Sequence, residues 1–328
     1  MSQPSVSVVI SAYNASSTIE KCMESILNQD YHNMEVVVVD DGSIDDTLKK
    51  VSKYKANIIA KPSRCGVAHS RNLGAKNSNS EVLIFVDSDI VITPGAISRI
   101  IKTFNEKPDI LAIGARYSEN TKDFNFASDF KNMDLSYRCH LCADYVKYLG
   151  SFFMAIKKET FLKAKGFAED FSKSPTAEDI EFGYRVTKGK KAMFIDKAIL
   201  VDHLKKYTLL SMLKTDFVRI VNMMKIIKLS KGKFKAGEHA PMPYMINLFL
   251  PVLIVLSVLG AVIFQLWWPS LLLATAFVIN NFGFVHFLLV KRGVIFAVKS
   301  LLVLFIEYII ASFSVIISIF IPVLKVSR

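Results

Sequence analysis

Val82-Leu83-Ile84-Phe85-Val86-Asp87-Ser88-Asp89 contains five apolar residues in a row, followed by two carboxylates. Five mostly β-branched or aromatic residues are too few for an isolated helix and are typical of a strand buried on both faces of a parallel sheet. In open α/β sheets the ligand crevice lies outside the carboxyl ends of the strands, so we expect Asp87 and Asp89 to point into a binding site. Alternation places both side chains on one side and Ser88 on the other. Such a pair can hold a divalent cation and, through it, a diphosphate, although a solvated turn could have the same sequence.

The residues before this strand predict a βαβ unit. Residues 6–10 and 35–39 are strand candidates, and between them residues 19–27 have apolar side chains at spacings of three and four. Ser17 or Thr18 can cap that helix. Strand, helix and strand in short order predict parallel pairing with a right-handed crossover. Because the second strand ends in Asp40-Asp41, it brings further carboxylates to the same edge of the sheet.

A glycine-containing helix start follows a short third strand at residues 58–60. Gly66 permits a close backbone approach, and a helix beginning near it would direct its N-terminal amides and Arg71 towards an anion. A surface ion pair is the alternative role for Arg71.

Four motifs in order resemble those of glycosyltransferase family 2: residues 4–14, Asp40-Asp41-Gly42-Ser43, residues 66–74, and Asp87-Ser88-Asp89. The resemblance implies an α/β fold of the GT-A (Rossmann-like) type with a mostly parallel sheet. It also implies a nucleotide-diphospho-sugar donor, with a UDP-sugar as the first expectation, a Mn²⁺ or Mg²⁺ ion, and inversion at the anomeric carbon.

The resemblance also implies roles for individual residues. Donor-binding positions would be Ala12, Tyr13, Asn14, Asp41, Arg71, Asp87 and Ser88. Asp41 would contact the nucleoside, Arg71 would lie on the nucleotide side, and Asp87 would lie near the ribose. Asp89 would ligate the metal.

The second half of this domain is expected to hold the acceptor and the base. Residues 150–156 predict a strand, with Gly150 and Ser151 on the acceptor side together with Glu178. An inverting displacement needs a carboxylate that removes the proton of the acceptor hydroxyl. Asp179 follows possible helix caps at Ser174 or Thr176, where acids are also favoured simply by the helix dipole. The family has a Glu-Asp pair at this point, which favours Asp179 as the general base.

A histidine is the second expected metal ligand. Residues 192–195 predict a last short strand, and in related transferases a histidine soon after it binds the metal or touches the diphosphate, which implies that role for His203. A loop histidine without catalytic function is the alternative. Cys139 and Cys142 have the spacing of a zinc knuckle, but no second pair follows, so we expect reduced thiols.

Composition indicates a membrane-associated chain. Hydrophobic residues make up 52% of the sequence and the net charge is +12. A protein with this positive charge can bind nucleic acid or an anionic membrane surface. The apolar C-terminal part favours the membrane, so we expect no nucleic-acid partner. Nine Lys or Arg residues lie at 205–235 among apolar residues at helical spacing, which predicts a basic amphipathic linker at 205–243 in the headgroup region. A solvated helix packed on the catalytic domain is the alternative.

Three apolar stretches, at about residues 244–266, 270–290 and 301–324, are long enough to span a bilayer. We therefore predict a catalytic domain at 1–204, the linker at 205–243 and a membrane domain at 244–328 with about three transmembrane helices.

Because the N-terminus resembles no signal peptide, the catalytic domain is expected to be cytoplasmic, on a multi-pass protein of the inner or plasma membrane. The Gln-x-x-Arg-Trp motif of processive synthases is absent around Arg219, which argues against processive extension.

Together these features predict a metal-dependent inverting glycosyltransferase, of hexosyltransferase type, with a lipid-linked or saccharide acceptor, acting in cell-envelope glycan or glycolipid synthesis. A polyprenyl-phosphate sugar synthase is the enzymatic alternative. A non-catalytic membrane scaffold with a degenerate sugar-nucleotide fold is the other.

Overall fold

The computed structural model describes residues 3–121, 125–169, 178–229 and 242–321. The chain divides into two compact units, Met1–Lys206 and Tyr207–Arg328. The helix caps expected at Ser174 or Thr176, and the basic residues expected at 231–235, lie outside the described residues.

The first unit is built on one mixed sheet. Its strands are β1 (Val6–Ala12), β2 (Met34–Asp40), β3 (Asn57–Ala60), β4 (Val82–Asp87), β5 (Ile90–Ile92), β6 (Ala112–Tyr117), β7 (Tyr145–Val146), β8 (Phe153–Lys157) and β9 (Met193–His203). They pair in the order β3-β2-β1-β4-β8-β6-β9-β5, and β7 pairs with β9. The first four strands of this order run parallel, as the βαβ pattern predicts. β8 is antiparallel to both of its neighbours, β4 and β6.

Helices cover both faces of this sheet. They are α1 (Ile19–Leu27), α2 (Thr47–Val51), α3 (Val67–Lys76), α4 (Ala96–Glu106), α5 (Phe126–Leu141), α6 (Lys158–Lys163) and α7 (Glu178–Thr187). Ile84 and Val86 of β4 belong to the core layer that contains apolar residues of α1 and α4. Leu83 and Phe85 belong to the opposite layer, with residues of α3 and α6. The prediction that the strand at residues 82–86 is buried on both faces is confirmed.

Two details of the sheet differ from the sequence prediction, the end of β4 and the length of β9. β4 ends at Asp87, and Ser88-Asp89 form a turn before β5, so strand alternation does not extend to Asp89. The last strand is not short: β9 pairs with β6 and β5 as well as β7, and these partners extend it to His203, which is its final residue rather than a loop residue.

The second unit is helical in its described part. Its helices are α8 (Leu209–Leu229), α9 (Met242–Asn247), α10 (Leu250–Phe264), α11 (Trp268–Asn280), α12 (Phe282–Arg292) and α13 (Val294–Phe320). α8 packs along α13. Near its end Lys228 donates to the carbonyl oxygen of Ile319 at 3.0 Å and also to that of Ser318, so a basic side chain satisfies carbonyls at the end of α13.

Two helices of the described chain are long and apolar enough to cross a membrane, Tyr244–Phe264 and Val294–Phe320. The middle apolar stretch is instead a pair of helices, α11 and α12, bent by 63°, so the count reaches three only if this pair forms one span. At the bend Asn281 donates and accepts hydrogen bonds with Asn247, where α9 ends. The middle span is therefore not the straight helix that its hydropathy predicts.

Candidate active site

The carboxyl ends of the parallel strands form one edge that carries most of the predicted donor-binding residues. Ala12 at the end of β1 is in register with Asp40 of β2, and Ser11 is in register with Asp87 of β4. The carbonyl of Ala12 accepts a hydrogen bond from the amide of Asp41 at 2.8 Å. Ala12 itself is buried, so it contributes backbone rather than a side chain to this edge.

Asp41 is buried beneath the loop that leads into α3. Its carboxylate accepts hydrogen bonds from Lys61 Nζ at 2.5 Å and from the backbone amides of Cys65 at 2.9 Å and Gly66 at 2.8 Å. Burial opposes the negative charge, but Lys61 and the two amides outweigh it and hold the pKa of Asp41 below its ordinary value. Lys61 was not anticipated from the sequence, since a lysine after a short strand has no distinguishing pattern.

Tyr13 and Asn14 connect the loops that follow β1 and β2. Asn14 adopts a left-handed backbone conformation, with φ of 48°, and its Oδ1 accepts a hydrogen bond from the amide of Ile44. The Tyr13 ring is partly exposed, and the guanidinium carbon of Arg64 lies 4.4 Å from its centroid. An aromatic face and a cation are thus open at the expected nucleoside position.

Arg71 is buried rather than a surface residue. Its Nη2 lies 2.6 Å from Oδ1 of Asp87, and its Nη1 lies 3.0 Å from Oε1 of Glu178, which is also buried. One guanidinium therefore joins the end of β4 to the first residue of α7. The alternative of a surface ion pair is wrong for Arg71.

Asp179 lies beside this network and next to the residues predicted on the acceptor side. Its Oδ2 accepts a hydrogen bond from the amide of Ser151 at 3.3 Å, and its Oδ1 accepts one from the amide of Ile180 at 2.8 Å. A Cβ added to Gly150 would lie 4.0 Å from its Oδ2. Burial, followed by the negative charge of Glu178, raises the pKa of Asp179 to about 7, against the opposing effect of Arg71. A carboxylate with a pKa near 7 is suited to proton abstraction at neutral pH.

Asp89 and His203 meet at the end of paired strands β5 and β9. His203 Nε2 lies 3.6 Å from Oδ2 of Asp89, and the histidine side chain is 10% exposed. Burial opposes ionisation of Asp89, but His203 and Lys205 outweigh it and lower its pKa. Ser88 lies in the turn just before Asp89.

The geometry of this pair fits a divalent cation. Two ligands that each bind one cation at about 2.1 Å stand roughly 3 to 4 Å apart, and the observed separation falls in this interval. In the described part of the chain no third His, Cys, Asp or Glu completes a cluster of metal-binding size.

Asn132 on α5 is a further residue of this site. Its Oδ1 lies 2.8 Å from Nδ1 of His203, and its Nδ2 donates to the backbone oxygen of His203 at 3.2 Å. Seventy-one residues separate the two in sequence, and an asparagine within a helix gives no signal of such a contact. Sequence reasoning therefore missed it.

These contacts produce a site with two parts. One edge holds Asp41, Tyr13 and Asp87, with carboxylates and an open aromatic ring, and Asp179 lies on its far side behind the Arg71 bridge. Asp89 and His203 lie close enough to bind one cation together. The arrangement can hold an anionic ligand through a cation and can accept a proton at Asp179.

Comparison with known proteins places this site in a family. Residues 7–164 match the family described as "Glycosyl transferase family 2". The GalNAc(5)-diNAcBac-PP-undecaprenol beta-1,3-glucosyltransferase of Campylobacter jejuni is 28% identical over 177 residues, which are 51% of this chain and 56% of that protein. The UDP-Glc:alpha-D-GlcNAc-diphosphoundecaprenol beta-1,3-glucosyltransferase WfaP of Escherichia coli is 34% identical over 130 residues, which are 39% of this chain and 51% of WfaP. The glycosyltransferase GlyG of Streptococcus pneumoniae is 29% identical over 126 residues, and the match covers 37% of this chain and 42% of GlyG. The chain thus spans about half the length of these curated relatives.

A solved structure shows the same fold. The mannosyltransferase PcManGT of Pyrobaculum calidifontis, in complex with GDP-Man and Mn²⁺, has a TM-score of 0.63 at 17% identity, covering 92% of this chain and 88% of that one. At this identity the likeness concerns the fold alone. The strand order, the parallel strands that end at Asp40 and Asp87, and the match to residues 7–164 agree with one another. The N-terminal unit of this chain has the GT-A fold, and residues 7–164 within it match glycosyltransferase family 2.

Proposed function

We propose that this protein is a membrane-anchored, metal-dependent, inverting glycosyltransferase of hexosyltransferase type. It transfers a sugar from a nucleotide-diphospho-sugar, in the first instance a UDP-sugar, to a hydroxyl of a lipid-linked or saccharide acceptor. The observation that carries the proposal is the Arg71 bridge between Asp87 and Glu178. The charge of Asp179 acts on Arg71 from one side of this bridge, and the charge of Asp89 acts on Asp87 at the other.

The chain's own residues account for the proton and charge transfers of this reaction. Asp179 takes the proton of the acceptor hydroxyl as the oxygen attacks the anomeric carbon on the face opposite the donor diphosphate. The bond from that carbon to the diphosphate oxygen breaks, and its electron pair leaves with the nucleoside diphosphate. Tyr13 and Asp41 orient the nucleoside, and Asp89 and His203 would hold the cation. The cation, Mn²⁺ or Mg²⁺, supplies neutralisation of the negative charge on the departing diphosphate.

The acceptor proposal rests on two observations. The names of two relatives describe acceptors linked to undecaprenol through a diphosphate. This chain also has two helices capable of crossing a membrane, which would hold the site near a bilayer. We therefore propose an acceptor linked to a polyprenyl diphosphate, reached from a cytoplasmic catalytic domain at the inner or plasma membrane in cell-envelope glycan synthesis.

The test is a transfer assay with the purified full chain in detergent. UDP-sugars and GDP-sugars are offered with Mn²⁺ or Mg²⁺, against acceptors that carry a sugar on polyprenyl diphosphate. We expect release of the nucleoside diphosphate and a labelled lipid product, with at least a hundredfold loss in Asp89→Asn and in Asp179→Asn. Asp144→Asn is the matched control, since Asp144 is an exposed carboxylate paired with Lys197. Absence of both transfer and hydrolysis with every nucleotide sugar would favour the scaffold reading.

A second arm of the assay offers polyprenyl phosphate without a sugar. A lipid phosphate is already ionised and needs no base, so full transfer to it by Asp179→Asn would identify a polyprenyl-phosphate sugar synthase. Such a result would also contradict the role of Asp179 as general base.

A further inference from the structure

The side-chain amide of Asn132 contacts His203 at two atoms, and these two contacts determine its orientation. The backbone oxygen of His203 can only accept a hydrogen bond, so the amide nitrogen Nδ2 must face it, at 3.2 Å. This leaves Oδ1 of Asn132 facing Nδ1 of the imidazole ring at 2.8 Å. Asn132 is 2% exposed, so its contacts with His203 are shielded from solvent.

The orientation of the amide determines which ring nitrogen carries the proton. An amide oxygen accepts and cannot donate, so Nδ1 of His203 must be the donor. In the neutral imidazole the other nitrogen, Nε2, then carries a lone pair and no proton. The ring is also packed against Tyr117, with centroids 5.5 Å apart, and Tyr117 stacks on Phe152 at 4.1 Å.

The lone pair of Nε2 faces a second acceptor. Oδ2 of Asp89 lies 3.6 Å from Nε2, close enough for the two atoms to bind one cation together. We propose that Asn132 is a positioning residue, which holds His203 as the tautomer protonated at Nδ1 and so directs the Nε2 lone pair, together with Asp89, at one divalent cation. This proposal rests on the proposed metal-dependent function and adds a residue that acts through His203 rather than on the substrate.

The nature of the ligands also indicates which cation is preferred. Mg²⁺ is hard and prefers oxygen ligands in near-ideal octahedral geometry. An imidazole nitrogen suits first-row transition metals, of which Mn²⁺ binds most weakly. A site that fixes a histidine in its metal-binding tautomer is therefore expected to prefer a transition-metal ion over Mg²⁺.

The experiment measures Mn²⁺ binding by the full chain in detergent, in the presence of UDP or GDP, from the electron paramagnetic resonance signal of free Mn²⁺. Pulsed measurements on the bound ion report coupling to a directly ligated ¹⁴N. We expect the ¹⁴N coupling in the wild type and its loss in His203→Ala. Loss of a residue that supports a metal ligand typically weakens metal binding by about 10- to 100-fold. We expect Asn132→Ala to lower the affinity for Mn²⁺ by a factor in this range.

A conservative variant separates positioning from general damage to the fold. Asn132→Asp keeps an oxygen acceptor opposite Nδ1 and loses the bond to the backbone oxygen of His203, so it should retain the ¹⁴N coupling and bind Mn²⁺ more tightly than Asn132→Ala. Asn33→Ala is the matched control, because the side chain of Asn33 makes an exposed contact with the backbone of Gln3 and lies outside the site.

A readout without metal keeps the inference open to refutation even if Asn132→Ala folds poorly. Two-bond ¹H–¹⁵N correlations of histidine-labelled wild-type protein distinguish the two tautomers, and the His203 signal is the one missing in His203→Ala. A proton on Nε2 in the metal-free wild type would overturn the proposal. So would unchanged Mn²⁺ affinity in Asn132→Ala, while the metal-dependent function would survive. Failure of the wild type to bind Mn²⁺ with either nucleotide would overturn both.

Discussion

Nη1 of Arg71 lies 3.0 Å from Oε1 of Glu178, although 107 residues separate them in sequence, and both side chains are less than 5% exposed. The other terminal nitrogen of the same guanidinium lies 2.6 Å from Asp87. One rigid, permanently charged group thus connects the strand that ends at the donor edge to the helix that presents Asp179. A lysine could not reproduce this geometry, since it lacks the planar fork of the guanidinium.

Arg71→Met should destabilise the protein strongly. Removing one partner of a buried ion pair leaves the other charge uncompensated, here Glu178, and typically costs about 3–5 kcal/mol. Thermal unfolding of the detergent-solubilised protein measures the effect. Lys163→Ala is the control, because the Lys163–Glu159 pair is 75% exposed on both sides and pairs of that kind contribute about 0–1 kcal/mol. The double variant Arg71→Met, Glu178→Gln should be more stable than Arg71→Met alone, and equal stabilities would contradict the coupling.

Transfer activity should depend on the ionisation of Asp179. A general base acts only when deprotonated, so with a pKa of about 7 the rate should rise about tenfold per pH unit below pH 7 and level off above it. Glu178 raises this pKa through its negative charge. Glu178→Gln removes that charge and leaves Arg71 in place, so the acid limb should move to lower pH.

The pH profile of kcat, measured with saturating donor and metal, tests this prediction. Glu159→Gln is the control, because Glu159 is an exposed acid outside the site and its neutralisation should leave the profile unchanged. If the acid limb of the kcat profile keeps its pH position in Glu178→Gln, or moves to higher pH, the observed ionisation is not that of Asp179.

Gly74→Ala should destabilise the donor half of the catalytic unit. A Cβ at Gly74 would lie 2.4 Å from Cγ1 of Val9 and 3.3 Å from Cγ2 of Val39, so α3 would have to move away from β1 and β2. Overpacking of this kind costs about 1–3 kcal/mol. In Gly260→Ala the added methyl meets nothing within 4 Å, so this control should keep or slightly raise the melting temperature. A melting temperature for Gly74→Ala equal to that of the control would show that the sheet absorbs the methyl without cost.

Asn247→Leu should weaken the helical unit at the bend between α11 and α12. Asn247 Oδ1 accepts from Asn280 at 2.8 Å, and Asn247 Nδ2 donates to Asn281 at 2.7 Å. Hydrogen bonds between membrane helices are worth about 0.6–2 kcal/mol each, so we expect a lower melting temperature in detergent. Thr275→Ala is the control, since the Thr275 hydroxyl donates to the carbonyl oxygen of Leu271 within its own helix. A melting temperature unchanged from the wild type would show that the bend does not depend on these amides.

The local sequence determined the elements of the catalytic unit and their order along the chain. The apolar run at 82–86 predicts a strand buried on both faces, because alternate side chains must each find a core layer, and the structure has Leu83 and Ile84 in opposite layers. The four motifs before residue 90 were sufficient for the family. These features depend on neighbouring residues and on the periodicity of side chains along the backbone. Both can be read from the sequence itself.

Tertiary structure alone decided which side chains meet. The Arg71–Glu178 pair and the Asn132–His203 contact join residues 107 and 71 positions apart, and such contacts depend on how strands are ordered in the sheet. The same ordering inserts β1 between the strands that end at Asp40 and Asp87. Hydropathy predicted three apolar stretches but not the 63° bend in the second, because that bend occurs where amides of separate helices satisfy one another. Sequence patterns thus fix local conformation and burial, whereas the partners of polar groups follow from the packing of distant segments.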